Sequence, residues 1–204
     1  SRETGIVGAA VPLPDAERHF LAMGIGSLIV VSAHGIVHAL DGKGLTKWRR
    51  EIAAGFVGSP AFGIDKLHVA STGKQVFTID LVTGEIESVR KIPSEITAVG
   101  VTAGGILAVG DERGNVTSLA ADGRENWRFR TGARVSQIFA ANGHLFAVSQ
   151  DNFVYCIDAS NGNVTWKRRL DGRATYANSV NGTYLFTTSI DEHGAALTSV
   201  VTGK

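Results

Sequence analysis

The chain has 204 residues, with 20 Lys and Arg against 19 Asp and Glu, a net charge of +1 and one cysteine. A globule of this length buries roughly 70% of its unfolded surface and needs no staple to fold. The even charge gives no handle to a nucleic acid or an anionic membrane surface. The single Cys156 excludes an internal disulfide framework and a Cys-rich zinc site, and the apolar runs fall well short of the roughly 20 residues needed for insertion into a bilayer.

In chain order, the sequence starts at Ser1 without a charged-then-apolar leader, which fits a removed leader and an excised domain equally. "SRETG" (1–5) leads into a strand read over 5–12. "PDAERHFLAMG" (14–24) has a helical composition by itself, but its register with the later units places 18–24 on a strand. Short runs rich in β-branched and aromatic residues follow, each bounded by Gly, Asn or Asp: "SLIVVS" (27–32), "KLHVAS" (66–71), "GILAVG" (105–110), "HLFAVS" (144–149) and "YLFTTS" (184–189). Such runs between turn residues read as strands in tight hairpins.

After each comes a turn, a third run and a marker turn. "HALDGKGLTKWRREI" (38–52), "SLAADGRENWRFRT" (118–131) and "CIDASNGNVTWKRRL" (156–170) each place Trp four residues after a Gly. "FTIDLVTGEIESVRKI" (77–92) keeps the pattern but has Ser88 in place of Trp. The marker glycines are Gly5, Gly44, Gly84, Gly123, Gly162 and Gly203, at intervals of 39, 40, 39, 39 and 41 residues. Four short strands per repeat of about 40 residues is the signature of a β-propeller blade. The fold class is therefore all-β, a single propeller domain over 1–204 built of four-stranded antiparallel blades. Five blades are expected, closed by strand 5–12 completing the last one and hiding the edges of an open array. A fragment of a longer array is the alternative.

The pattern Ala/Ile-x-Asp, turn, Thr-Gly, three residues, Trp resembles the quinoprotein-type, or PQQ-like, repeat. That family includes quinoprotein alcohol dehydrogenases and an outer-membrane assembly lipoprotein. The resemblance covers essentially the whole chain and implies that Trp48, Trp127 and Trp166 pack between neighbouring blades. It also implies an extracytoplasmic location, periplasmic or at the cell surface. Ser88, Ala9 and the absence of an Asp before Asp122 depart from the pattern, so the junctions flanking them are expected to be looser. The vicinal cysteines typical of the quinoprotein dehydrogenases are impossible with one Cys, and their quinone and calcium ligands cannot be located here. The enzyme activity is therefore not carried over and no cofactor is expected.

Asp41, Asp80 and Asp158 recur with the repeat, and a carboxylate at a strand end accepts from the N–H groups of the turn after it. Arg49, Arg128 and Lys167 follow the Trp position on the strand read as outermost, where a cation discourages edge pairing. Arg130 and Arg169 lie 39 residues apart, as do Arg134 and Arg173. These four are expected on one face, beside turns that carry Asp111, Glu112 and Arg113, then Asp151, then Asp191, Glu192 and His193. Self-contained ion pairs and a docking patch for an acidic protein partner are the two readings of that face. His34, His38 and His193 supply too few converging ligands for zinc, and His68 reads as a half-buried packing residue. There is no GxSxG, HExxH or phosphate loop. Asn115, Asn163 and Asn181 stand in N-x-S/T triplets. Ala22, Ala61, Gly100, Phe139 and Ser179 are read as lining a narrow, filled axis.

The expected function is a non-catalytic scaffold or adaptor that presents one loop-rich face to a protein. A small-ligand or carbohydrate-binding propeller, and a fragment of a larger quinoprotein-type propeller, are the alternatives.

Overall fold

A computed structural model describes residues 19–24, 26–52 and 54–170, and beyond them the backbone of strands 174–180, 184–189 and 195–199. Within these residues the regular elements are strands, in sheets that follow the chain. The first sheet is β1 (His19–Gly24), β2 (Ser27–Ser32), β3 (Ile36–Leu40) and β4 (Thr46–Glu51). The second is β5 (Phe56–Phe62), β6 (Lys66–Ser71), β7 (Gln75–Asp80) and β8 (Ile86–Lys91). The third is β9 (Ile96–Val101), β10 (Leu107–Asp111), β11 (Asn115–Leu119) and β12 (Glu125–Arg130). The fourth is β13 (Val135–Ala141), β14 (His144–Ser149), β15 (Phe153–Asp158) and β16 (Val164–Arg169). β17 (Ala174–Val180), β18 (Tyr184–Ser189) and β19 (Ala195–Ser199) form a further antiparallel sheet.

The first strands β5, β9 and β13 pack side by side, and β13 also meets β17. The sheets therefore stand face to face around these inner strands, as propeller blades do. Burial follows from that stacking. Second and third strands are covered on both faces, so "KLHVAS" is buried along nearly its whole length. Fourth strands alternate, exposed and half-buried, because they lie at the rim. Apolar clusters fill each gap: Ile29, Val37, Leu67 and Ile79 between blades 1 and 2; Val76, Ile92, Leu107 and Leu119 between 2 and 3; Val116, Val135, Leu145 and Ile157 between 3 and 4.

The helical composition of 14–24 gives way to tertiary pairing, since β1 occupies its C-terminal part in register with β2, Phe20 opposite Val31. Four sheets are complete among the described residues and the last has three described strands, so five complete blades are not matched. The closing strand read at 5–12 lies outside the described residues.

One reading is corrected. Register sets Ala22 opposite Ile29, Ile29 opposite Ala39 and Ala39 opposite Trp48, so residue 22 shares a face with Trp48. That face looks at the next blade, because strand side chains alternate between the two flanking sheets. A Cβ on Gly100 would lie 2.3 Å from the Ile138 side chain of β13. Ala22, Ala61, Gly100 and Phe139 are thus inter-blade positions, while the side chain of Ser179 lies outside the described residues.

Candidate binding site at the blade junctions

Blades 1 and 2 meet through Trp48. Its indole Nε1 donates to Leu81 O at 3.3 Å, and its ring lies over Gly84. A Cβ on Gly84 would come within 2.6 Å of that ring, and the residue also has a φ of 73°, so glycine is required twice over. Arg50, two residues on and on the same face, donates from Nε to Gly84 O at 2.7 Å. The opposite wall contributes Phe77. Blades 3 and 4 repeat the device. Trp127 Nε1 donates to Ala159 O at 2.9 Å, its ring lies over Gly162, and Tyr155 opposite it packs tilted against Phe129 with centroids 5.3 Å apart. Trp166 packs beside Phe146 at 5.8 Å, and Gly203, its counterpart in the repeat, lies outside the described residues.

The marker aspartates hold the turns between third and fourth strands, and Asp80 and Asp158 hold those under the Trp48 and Trp127 rings. Asp41 Oδ1 accepts from Lys43 N and Leu45 N at 2.8 and 2.9 Å. Asp158 Oδ1 accepts from the Ser160 hydroxyl and N–H, which hold its carboxyl below the usual range. Asp80 accepts from Val82 N and Thr83 N at 2.8 Å. Its Oδ2 takes a bond from Lys66 Nζ at 2.9 Å, and Lys66 also reaches Glu87. These contacts raise the Lys66 ammonium, Glu87 first, and depress Asp80, Lys66 first.

Blades 2 and 3 meet differently. Ser88 stands where the ring would be, and its hydroxyl is buried without a hydrogen-bond partner. Arg90 bridges the gap, with Nε and Nη2 donating to Ala121 O at 3.3 and 2.9 Å and Nη1 donating to Thr78 Oγ1 at 3.0 Å. Its aliphatic stem passes over Gly123, 3.7 Å from where a Cβ would stand. The row behind it is polar as well. Ala61, His68, Thr78 and Ser88 are register partners across blade 2, where blade 4 has Phe139, Phe146, Cys156 and Trp166. His68 Nδ1 lies 3.1 Å from Thr78 Oγ1, and burial, with the nearby Arg90 charge, lowers its pKa to about 4. His68 is thus a fully buried residue, only 7% exposed, rather than a half-buried one.

On the facing wall Thr117 occupies the position held by Phe77 and Tyr155 in the flanking junctions, as their register partners Arg128, Val89 and Lys167 show. An open cleft of about 630 Å³ lies here, between Lys91 to Glu95 on one side and Asn115, Thr117, Gly123 and Arg128 on the other.

The loop-rich end of the blades gathers part of the expected patch. Arg134 Nη1 pairs with Glu112 Oε1 at 2.8 Å across the blade 3 turn. Asp111 is buried, which raises its pKa, but bonds from Asn115 outweigh this and leave it lowered. Asp151 Oδ2 accepts from Gly132 N at 2.7 Å and from the Tyr155 hydroxyl at 2.6 Å, so the link leaving β12 is tied to the β14–β15 turn. Burial, then that bond, pushes the Tyr155 phenol up to about 12. Arg113 lines the cleft, Arg130 ends β12 opposite Asn115, and Arg169 ends β16 opposite Phe153. Arg173, Asp191, Glu192 and His193 lie outside the described residues. Of the rim cations, Arg49 pairs with Glu51 at 3.0 Å, Arg128 pairs with Glu125, and Lys167 sits over the Phe153 ring.

Arg50 and Arg90 escaped the sequence reading, although both stand two residues after the Trp position, on the inward phase of the strand. Thr117 escaped it as well, because only register pairs it with the junction of Ser88. Cys156 is buried, and its thiol is pushed up to about 12 by that burial, which leaves no reactive thiolate at neutral pH. Among the described residues, no three His, Cys, Asp or Glu side chains converge as metal ligands.

A family model described as outer membrane protein assembly factor BamB matches residues 87–202. Among solved structures, BamB from Moraxella catarrhalis matches with a TM-score of 0.67 and 20% identity, over 87% of this chain and 56% of that one. The chain thus spans little more than half the length of that relative, and the likeness establishes the fold. No curated protein sequence matches.

Proposed function

This chain belongs to the family described as outer membrane protein assembly factor BamB, and on that premise we propose that it is a non-catalytic propeller acting as a protein-interaction scaffold outside the cytoplasm. The docking surface is the loop-rich end of blades 3 and 4, and the partner presents acidic groups to it. One observation carries this reading: Arg130 and Arg169 close equivalent outer strands with no carboxylate paired to either among the described residues, beside the Arg134–Glu112 pair. A binding face needs cations free to meet a partner's charge, and such exposed charges affect association more than folding. The repeated device at the blade junctions is structural by contrast, since its rings and aspartates are consumed in holding blades together.

The test is the variant R130E/R134E/R169E/R173E beside wild type in affinity capture from a native extract. Loss of the captured partner with an unchanged melting temperature is expected. Capture that survives the four reversals would sink the patch.

A further inference from the structure

The junctions of blades 1 and 2 and of blades 3 and 4 are built to one plan, and the one between them lacks it on both walls at once. Trp48 and Phe77 share one cluster and Trp127 and Tyr155 another, but the equivalent positions between blades 2 and 3 are Ser88 and Thr117, of which Thr117 lines the cleft. Two aromatic side chains are missing from one gap, and a cleft of about 630 Å³ opens on the rim there. That is within the range of roughly 300–1,000 Å³ typical of ligand pockets. The Arg90 stem covers Gly123 where an indole would lie, and the cleft opens beside it, between Lys91 to Glu95 and Thr117.

The charges along the cleft decide what fits it. Lys74 pairs with Glu95 at 3.9 Å, Arg128 with Glu125, and Glu112 with Arg134. Asp111 is taken up by the N–H groups and amide of its own turn. Lys91 and Arg113 are left as lining cations with no carboxylate within reach among the described residues. The walls also present apolar surface, from Ile92, Pro93 and Leu119 around Gly123.

We propose that the cleft between blades 2 and 3 is a receptor slot for a partner segment that inserts one aromatic side chain flanked by carboxylates. The ring restores from outside the packing that Thr117 forgoes, and the carboxylates meet Lys91 and Arg113. This rests on the scaffold reading and supplies its anchor, since binding energy concentrates in a buried aromatic at the centre of a polar rim.

The test titrates the full chain with an end-blocked peptide, Gly-Asp-Trp-Asp-Gly, followed by calorimetry and by amide chemical shifts. Binding with a dissociation constant of about 0.1–1 mM is expected for so small a contact, at least tenfold tighter than for Gly-Asp-Ala-Asp-Gly or Gly-Lys-Trp-Lys-Gly. S88W/T117F fills the slot from within and should abolish binding while raising the melting temperature. K91E/R113E leaves the apolar walls intact and should weaken binding about tenfold, keeping the test alive if the filled variant misfolds. An absent response in wild type, or equal affinity in both variants, would overturn the slot. R130E/R169E, which leaves the Arg134–Glu112 pair beside the cleft intact, should still bind the peptide. Loss of capture in R130E/R134E/R169E/R173E with no peptide binding in wild type would keep the scaffold and discard the slot, and the reverse result would discard the docking patch alone.

Discussion

Two kinds of blade junction lie side by side in this molecule. Between blades 1 and 2, and again between 3 and 4, an indole ring covers a glycine of positive φ and donates one hydrogen bond to a backbone carbonyl beyond it. Between blades 2 and 3 the same glycine is covered by the stem of Arg90, whose guanidinium reaches the corresponding turn. The register row behind it carries His68, Thr78 and Ser88 in place of apolar residues. Both solutions satisfy the turn carbonyl, so the turn itself is what the repeat preserves. They differ in how much apolar surface they bury, and the polar solution leaves a cleft at the rim.

The largest expected effect breaks the aromatic junction. Trp127→Ala removes the ring over Gly162 together with the bond to Ala159 O, and truncating a packed Trp costs about 3–5 kcal/mol. The midpoint of denaturant unfolding should fall accordingly, whereas Arg90→Ala at the polar junction should shift it by well under half as much.

The next tests the polar junction through pH. His68 titrates near 4 when folded against about 6.5 when unfolded, so between these values only the unfolded chain takes up the proton. Its contribution is fully present above about pH 6.5 and is lost as pH falls towards 4, about 3 kcal/mol in all. The groups facing it are Arg90 and Lys66, which oppose its protonation, and Glu87, which favours it. Unfolding followed from pH 7 to pH 4 should show a slope that His68→Phe flattens. Loss below about pH 4 belongs instead to carboxylates such as Asp80 and Asp158, whose folded values are depressed.

The smallest contrasts the glycines themselves. Gly162→Ala meets both a left-handed backbone and the Trp127 ring at 2.7 Å, while Gly123→Ala meets the backbone cost alone. The first should cost about 2–3 kcal/mol and the second about 1 kcal/mol, read as a difference in melting temperature between the two variants.

Much of the fold is legible in the residues taken one repeat at a time. The markers from Gly44 to Gly162 and the pattern of short apolar runs place the blades, and Asp41, Asp80 and Asp158 announce their turns. The candidate site was legible only in part. Repeat arithmetic puts Arg134 and Glu112 on one face because it aligns equivalent loops. Arg50 and Arg90 are not legible in this way, since a cation on a rim strand reads as solvated until its phase is set against Trp48 and Ser88. Residues such as Ala61 and Gly100 read as axial in the sequence, because nothing in a single strand says which neighbour its side chains face.

The sequence by itself determined the period, the strands, the turn chemistry and the family, since these depend on residues close together in the chain. The tertiary structure alone decided what each row packs against. Ser88 and Thr117 are each a mild substitution in their own strands. Only stacking brings blade 2 and blade 3 face to face, so that the Arg90 stem covers Gly123 where a ring would lie and a cleft stays open beside Thr117.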